Sequence, residues 1–311
     1  MKAPDPSPVL QRLAQERLAL DETPPGRTAF LSHLGAALPL RPGPWIGHRD
    51  LLYALALANL SPAQRESLAR AILVEHDRPF GVGRLRLRTA PSGLPLGGAL
   101  LWMAPRGSPE RILYAWGLGP GAKPLTVSWL LLRAHPSFGL TDPPPALDPK
   151  AVATAAALGD VLVAVDGAVT AKLVADRLRP VVPVAAHPRF APHLDGLDPA
   201  AQVLVWPHDA LGSRALSRRS LVAILLVDAP EAVRSQATLH AAARHPVPEV
   251  VPVGGPGRLD RAGLLRFVEA CGRPAVCLRG DPASVAGAAA CLRGAGVATA
   301  TLGEAAQLRL L

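Results

Sequence analysis

The sequence predicts an α/β fold: a mainly parallel sheet of βα units in the carboxyl-terminal half, preceded by a helical segment and a small antiparallel β region. Three observations carry this expectation. Apolar segments at 161–165, 181–185, 203–206, 222–227, 250–253, 274–278 and 297–301 alternate with amphipathic stretches, as strands and helices do around a parallel sheet covered on both faces. Between Phe80 and Phe138, glycine and proline punctuate shorter apolar runs, the pattern of hairpins. Between these two patterns, "TDPPPALDP" at 141–149 supplies consecutive prolines that neither a helix nor a central strand accepts. The expected domains are therefore 1–140 (helical plus small β), a proline-rich linker at 141–149, and an α/β domain at 150–311.

The elements follow in chain order. The first 78 residues read as helical. "SPVLQRLAQERLAL" places Ser7 and Pro8 at cap and first-turn positions, and "SPAQRESLARAIL" repeats the device with Ser61, Pro62 and Gln64 as a capping box. Between them, "RDLLYALALANL" is apolar nearly all round, so its helix is expected to be buried. In the β region, the alternation Arg84-Leu85-Arg86-Leu87-Arg88 puts three arginines on one face of a strand and two leucines on the other. After the linker, Asp148 and Pro149 open a helix that Gly159 closes.

The βα units echo one another. "VLVAVDGAVTAKLVADRLRPVVPVAA" and "AILLVDAPEAVRSQATLHAAARHPVPEVVPVGG" share a strand, an Asp directly after it, a helix, and an Arg-to-Pro-Val step into a second strand. A weaker third copy is "AVCLRGDPASVAGAAACLRGAGVATATLG". Either tandem duplication or the common grammar of βαβ units accounts for this.

Composition narrows the function classes. The 311 residues, 49% of them hydrophobic, suffice for one large or two ordinary domains with real cores. No run of eighteen apolar residues occurs, and the start carries charges and prolines where a signal peptide needs an apolar stretch, so no membrane and a cytoplasmic location are expected. Cys271, Cys277 and Cys291 lack the close spacing of a zinc site and read as small buried hydrophobes. The net charge of +9 comes from arginine, since the lysines are only Lys2, Lys123, Lys150 and Lys172. A surplus of planar guanidinium forks favours an anionic partner. GC-rich coding DNA also yields many Arg, Ala, Pro and Gly, and Asn59 is the single asparagine.

Ligands of a parallel sheet meet the loops at the carboxyl ends of its strands. The candidates there are Asp166-Gly167 with Thr170, His187 with Arg189, His208 with Asp209, Asp228 with Glu231, Gly254 to Gly257, and Arg279-Gly280-Asp281 with Ser284. For each, capping of the following helix or a tight turn is the competing role. "GLGPGAKP" lacks the spacing of a phosphate-wrapping loop, and neither a nucleophile elbow nor a histidine pair at i and i+4 with a glutamate occurs.

Two family resemblances attach to these loops. "LVAVDGAVTA" followed by "VLVWPHDALGSRALSRR" resembles the TOPRIM domain of bacterial primases and topoisomerases, with Asp166-Gly167 in place of Glu-Gly, Asp209 and Gly212 matching, and Pro207 replacing the first aspartate. A second alignment of the same motif runs from "LLVDAPEAV" to the segment after Asp281, where Pro282 and Ser284 replace both aspartates. The resemblance implies Mg²⁺ held by Asp166 and Asp209 and a nucleic-acid partner. The stretch from Ala151 to Ala186 is also similar to the carboxyl-terminal domain of pyruvate kinases, with Gly167, Thr170, Arg179-Pro180 and Pro183 in matching places. That likeness implies a phosphate-binding turn from Gly167 to Thr170, although the Asp166 carboxylate would repel the anion.

The expectation that results is a nucleic-acid-associated, non-catalytic protein. Arg84, Arg86 and Arg88 would contact the polyanion, and Asp166, Gly167, Thr170, His208, Asp209, Asp228 and Asp281 would line a ligand site. The alternatives are a binder or enzyme for a small phosphate-bearing ligand at Gly167 to Thr170, and an interaction protein whose site is lost.

Overall fold

A computed structural model describes residues 5–6, 11, 14–34, 41–58, 60–138 and 144–302. The chain divides into two compact units, the first made of Met1–Thr141 with Gly257–Leu311 and the second of Asp142–Pro256. The fold is α/β, as expected, with parallel strands in both units. Among the described residues no helix is long and apolar enough to cross a membrane.

The first unit holds two sheets. Strands β1 (Leu18–Leu20), β2 (Thr28–Leu31), β3 (Trp45–His48) and β4 (Ile72–Val74) lie side by side in that order, all parallel. This corrects the helical reading of the first 78 residues in part: Gln11, Ala14 and Gln15 are helical, but Leu18–Leu20 at the end of the same segment is a strand, and residues 7–10, 12 and 13 lie outside the described residues. Strands of three or four residues are too short to show a period, so nothing in the pattern separates them from a helical turn. Helices α1 (Arg49–Ala56) and α2 (Pro62–Ala69) stand where expected. Leu51, Leu52 and Leu55 of α1 are buried but Tyr53 and Ala56 are exposed, so the helix is covered on one face rather than all round. Ser61 and Gln64 form the capping box, with Gln64 Oε1 accepting from the Ser61 N–H at 2.8 Å.

The second sheet has seven strands. β5 (Pro79–Val82), β6 (Leu85–Pro91), β7 (Ala99–Pro105) and β8 (Ile112–Ala115) pair antiparallel, and β9 (Trp129–Arg133) then joins β8 in parallel. β15 (Ala275–Arg279) and β16 (Thr299–Thr301) continue the sheet in parallel beyond β9. The single α/β domain expected at 150–311 is therefore corrected, because residues from 257 onward complete the sheet of the first unit. An apolar βα unit does not state which sheet its strand will join. One face of this sheet packs on β1–β4 through Leu18, Phe30, Ile46, Leu87, Met103 and Tyr114. The other is covered by helices α7 (Arg261–Ala270) and α8 (Pro282–Gly294) chiefly over β8, β9 and β15, whereas Arg86 of β6 on the same face stays exposed. All three cysteines are buried, and burial pushes the Cys277 thiol up to about 12.

The second unit is a five-stranded, all-parallel sheet in the order β11 (Val184–Ala186), β12 (Val203–Pro207), β10 (Asp160–Val165), β13 (Leu221–Val227), β14 (Glu249–Val253). Alternate residues of β10 serve two cores: Val161, Val163 and Val165 pack with α3 (Pro149–Ala156) and α4 (Ala168–Leu178). Leu162 and Ala164 belong to the other core, with α5 (Arg214–Ser217) and α6 (Glu231–Ala242). Such double burial is why these strands read as unbroken apolar runs. The echoed units are not equivalent in space, since β14 lies beside β13 whereas β12 separates β11 from β10.

Two histidines at the end of the small sheet bear on acid stability. His48 caps α1 by accepting from the Asp50 N–H at 3.3 Å, and its ring stacks on His76 at 4.0 Å. Burial, reinforced by the His48 charge, lowers His76 to about 4, and burial lowers His48 as well. A depressed imidazole takes up its proton more readily in the unfolded chain, so its contribution is intact above the ordinary histidine range and is lost as the pH falls toward 4. Urea midpoints of the first unit are expected to drop between about pH 7 and about pH 4.5, and less steeply in His76→Phe, which keeps the stacking but cannot titrate.

Candidate functional site

In the second unit, the predicted ligand residues gather at the carboxyl edge of the sheet only in part. Val165 of β10 and Pro207 of β12 are register partners, which sets Asp166 beside His208. Asp166 Oδ1 accepts from Thr170 Oγ1 at 2.5 Å, and Thr170 is buried. Its hydroxyl is thus spent on the carboxylate rather than presented to a ligand. Gly167 caps α4 in extended backbone that any residue adopts. Burial lowers the His208 pKa against the opposing pull of the Asp166 charge. Asp209 points elsewhere, with its two carboxylate oxygens 2.9 and 3.0 Å from Arg189 Nη1.

Asp228, at φ +48, ties down the loop after β14, where Gly255 N–H donates to its Oδ1 at 3.0 Å. Asp281 has a local role of its own. It lies in the first unit and caps α8, accepting from Ser284 N–H at 3.0 Å. Among the described residues, no three His, Cys, Asp or Glu side chains gather as a metal site. Two carboxylates, one of them committed to an arginine, make a poor cradle for a hard ion that wants several oxygens.

The arginine face is formed in part as the alternation predicts, with Arg86 and Arg88 on β6 and Arg84 in the turn that precedes it. Leu85 and Leu87 are buried, Arg84 and Arg86 are exposed, and Arg88 is half-buried. Register pairs Arg88 with Trp102 of β7. The Arg88 guanidinium lies 5.4 Å and that of Arg111 5.9 Å from the Trp102 ring, a cation–π arrangement that fixes two flexible heads on one sheet face. Asp77, which the Arg88 charge reaches, is itself bonded to Lys123 Nζ at 2.7 Å. Among the described residues, no ion pair engages Arg84, Arg86 or Arg88.

A third constellation was invisible in the sequence. Asp21 directly follows β1 at φ +57 and is buried. It accepts from Ser32 N–H at 2.6 Å, Ser32 Oγ at 2.5 Å and Tyr114 Oη at 2.7 Å, with His33 Nδ1 3.7 Å away. Burial alone would raise its carboxyl, but the His33 charge and the bonds from His33 and Ser32 outweigh that and hold it below the usual range. Burial beside this anion drives the Tyr114 hydroxyl well above 10.

Next to it, Arg279 donates to Glu22 at 2.9 Å. Trp116 carries Arg133 at 4.2 Å and Arg279 at 5.1 Å from its ring, and stacks on His33 at 4.8 Å. Glu22 and Arg279 are separated by 257 positions and Asp21 and Tyr114 by 93, so no local motif announces the cluster. The one available signal is "LALDE", an apolar strand ending in an acid, the same grammar as "VLVAVDG". The cluster is a satisfied network that ties the two sheets of the first unit together.

No protein-family model matches the sequence, and no curated protein matches it. The resemblances to TOPRIM domains and pyruvate kinases thus rest on the motifs quoted above. A solved structure of a protein of unknown function from Enterococcus faecalis V583 is similar, with a TM-score of 0.53 and 13% identity over 81% of this chain and 74% of that one. At that identity the likeness concerns the fold alone.

Proposed function

We propose that the protein associates with nucleic acid by clamping its phosphate backbone on the outer face of β6. The observation that carries this reading is Arg86 and Arg88 on β6, with Arg84 in the turn just before the strand, and Trp102 holding Arg88 and Arg111 on the same face. Alternate residues of a strand stand about 6.7 Å apart, close to the axial rise of two phosphates along one strand of a duplex, at about 3.4 Å each. The net charge of +9 supplies the long-range attraction. Base-edge readout is not part of this reading, since the face offers guanidiniums to phosphates and no side chain set for a groove.

The test is fluorescence anisotropy with labelled single-stranded and duplex oligonucleotides of mixed sequence across a salt series. Arg84→Glu with Arg86→Glu changes two exposed side chains and leaves the strand's buried leucines in place. The pair is expected to reduce the slope of log K against log salt by about 2 on duplex and to weaken low-salt binding by more than tenfold. Equal slopes for the variant and the parent protein would overturn the proposal.

A further inference from the structure

The second unit contains a cavity of about 380 Å³ lined by Ser213, Arg219, Ser220, His240, Arg244 and His245, among others. We propose that it binds a small phosphate monoester, with the phosphate held by Arg219 and Arg244. The cavity sits where α5, the start of β13 and the end of α6 meet, the amino edge of the sheet. That is the opposite edge from Asp166, Asp209 and Asp228, whose carboxylates disfavour an anion at the edge where parallel sheets usually bind one.

Charge and hydrogen-bonding capacity both point to an anion. None of the lining side chains is acidic. Asp160 accepts from Arg219 Nη1 at 3.4 Å and from the Ser220 N–H at 3.1 Å, which orients that guanidinium but uses one donor of its five. Arg244 likewise spends Nη1 on the Leu216 carbonyl at 2.9 Å. Each fork is thus anchored at one corner with donors to spare, the arrangement that makes arginine a phosphate binder. Ser213 Oγ, on the cavity wall, is buried without a hydrogen-bond partner among the described residues. A buried hydroxyl ordinarily finds one, and a phosphate oxygen would supply it. The volume falls in the range of small-molecule sites, which leaves room for a polar organic group beyond the phosphate.

The experiment is calorimetric titration of the full chain with inorganic phosphate and ribose 5-phosphate, with ribose as the uncharged control and an oligonucleotide as the polymeric source of phosphate. Ribose 5-phosphate is expected to bind and ribose to be silent. Arg219→Gln and Arg244→Gln should each weaken ribose 5-phosphate about tenfold, while oligonucleotide affinity stays unchanged. Ser213→Ala, which removes a hydroxyl that bonds nothing, should weaken it severalfold without touching the fold, and it decides the matter if either arginine variant fails to fold. The proposal is overturned if neither phosphate probe binds, if the variants bind as the parent does, or if they lose oligonucleotide binding instead. The arginines of β6 play no part in this result, so failure here leaves the nucleic-acid reading standing, and the reverse.

Discussion

Asp21→Ala is expected to destabilise the first unit by about 3–5 kcal/mol, the range for removing one member of a buried charged network. The carboxylate takes three hydrogen bonds from two residues, Ser32 and Tyr114, on different sheets. Alanine would leave those donors buried and unmatched, at about 1–3 kcal/mol each if none relaxed. It would also remove the carboxylate that lies 3.7 Å from His33 Nδ1. Backbone conformation adds to the loss, since φ is +57 at this position and alanine pays about 1 kcal/mol or more there. Asp21→Asn tolerates that conformation and keeps one acceptor oxygen, so it should cost less. Tyr114→Phe deletes a single bond to a charged group and should cost about 1.5–3 kcal/mol.

The readout is urea unfolding followed by tryptophan fluorescence, because Trp45, Trp102, Trp116 and Trp129 lie in the first unit and only Trp206 in the second. A loss under about 1 kcal/mol for Asp21→Ala would mean that the network is looser than its distances imply. The pH dependence follows the same logic. With its folded pKa held below the unfolded value, Asp21 contributes fully above the ordinary carboxylate range, and the contribution is lost as the pH falls through the folded value.

This network also shows where the sequence stops being readable. β10, β13 and β15 were legible because burial on both faces forces long apolar runs, α1 because its apolar run is local, and α2 because its capping box is. The arginines of β6 were legible for the same reason: a half-buried strand must alternate. The small sheet was not, since β1 and β4 have three residues each, fewer than a helical or strand period needs to declare itself.

The assignment of β15 and β16 to the sheet of the first unit was hidden because strand pairing is a long-range choice made by whichever edge is open. Among the site residues, Asp166 and Asp228 were found by their place after a strand, yet the same rule could not tell that Thr170 is committed to Asp166, or that Asp281 belongs to another unit. Asp21 obeys that rule too, but the strand before it had been read as helix.

Gly97→Ala is the second substitution expected to be severe, with a loss of about 3–5 kcal/mol and a fall of roughly 10 °C in the unfolding midpoint of the first unit. Gly97 lies in the connection from β6 to β7, against the first turn of α1. Its φ of +73 is one that a Cβ makes costly by about 1–2 kcal/mol. A Cβ there would also press on the backbone nitrogen of Leu51 and stand 2.8 Å from the Asp50 carbonyl carbon and the Leu51 Cα. Those atoms belong to a helix backbone, so no side chain can rotate away to make room. The helix must shift, and Leu51, Leu52 and Leu55, all buried, shift with it out of a close-packed core.

Gly107→Ala separates the two contributions, because its φ is also +73 but a Cβ there meets nothing within 4 Å. It should cost only the conformational part, about 1–2 kcal/mol. Thermal unfolding of the two variants side by side measures the difference. Equal losses would show that the approach of α1 to this turn is soft, and that the hairpin does not set the position of the helix.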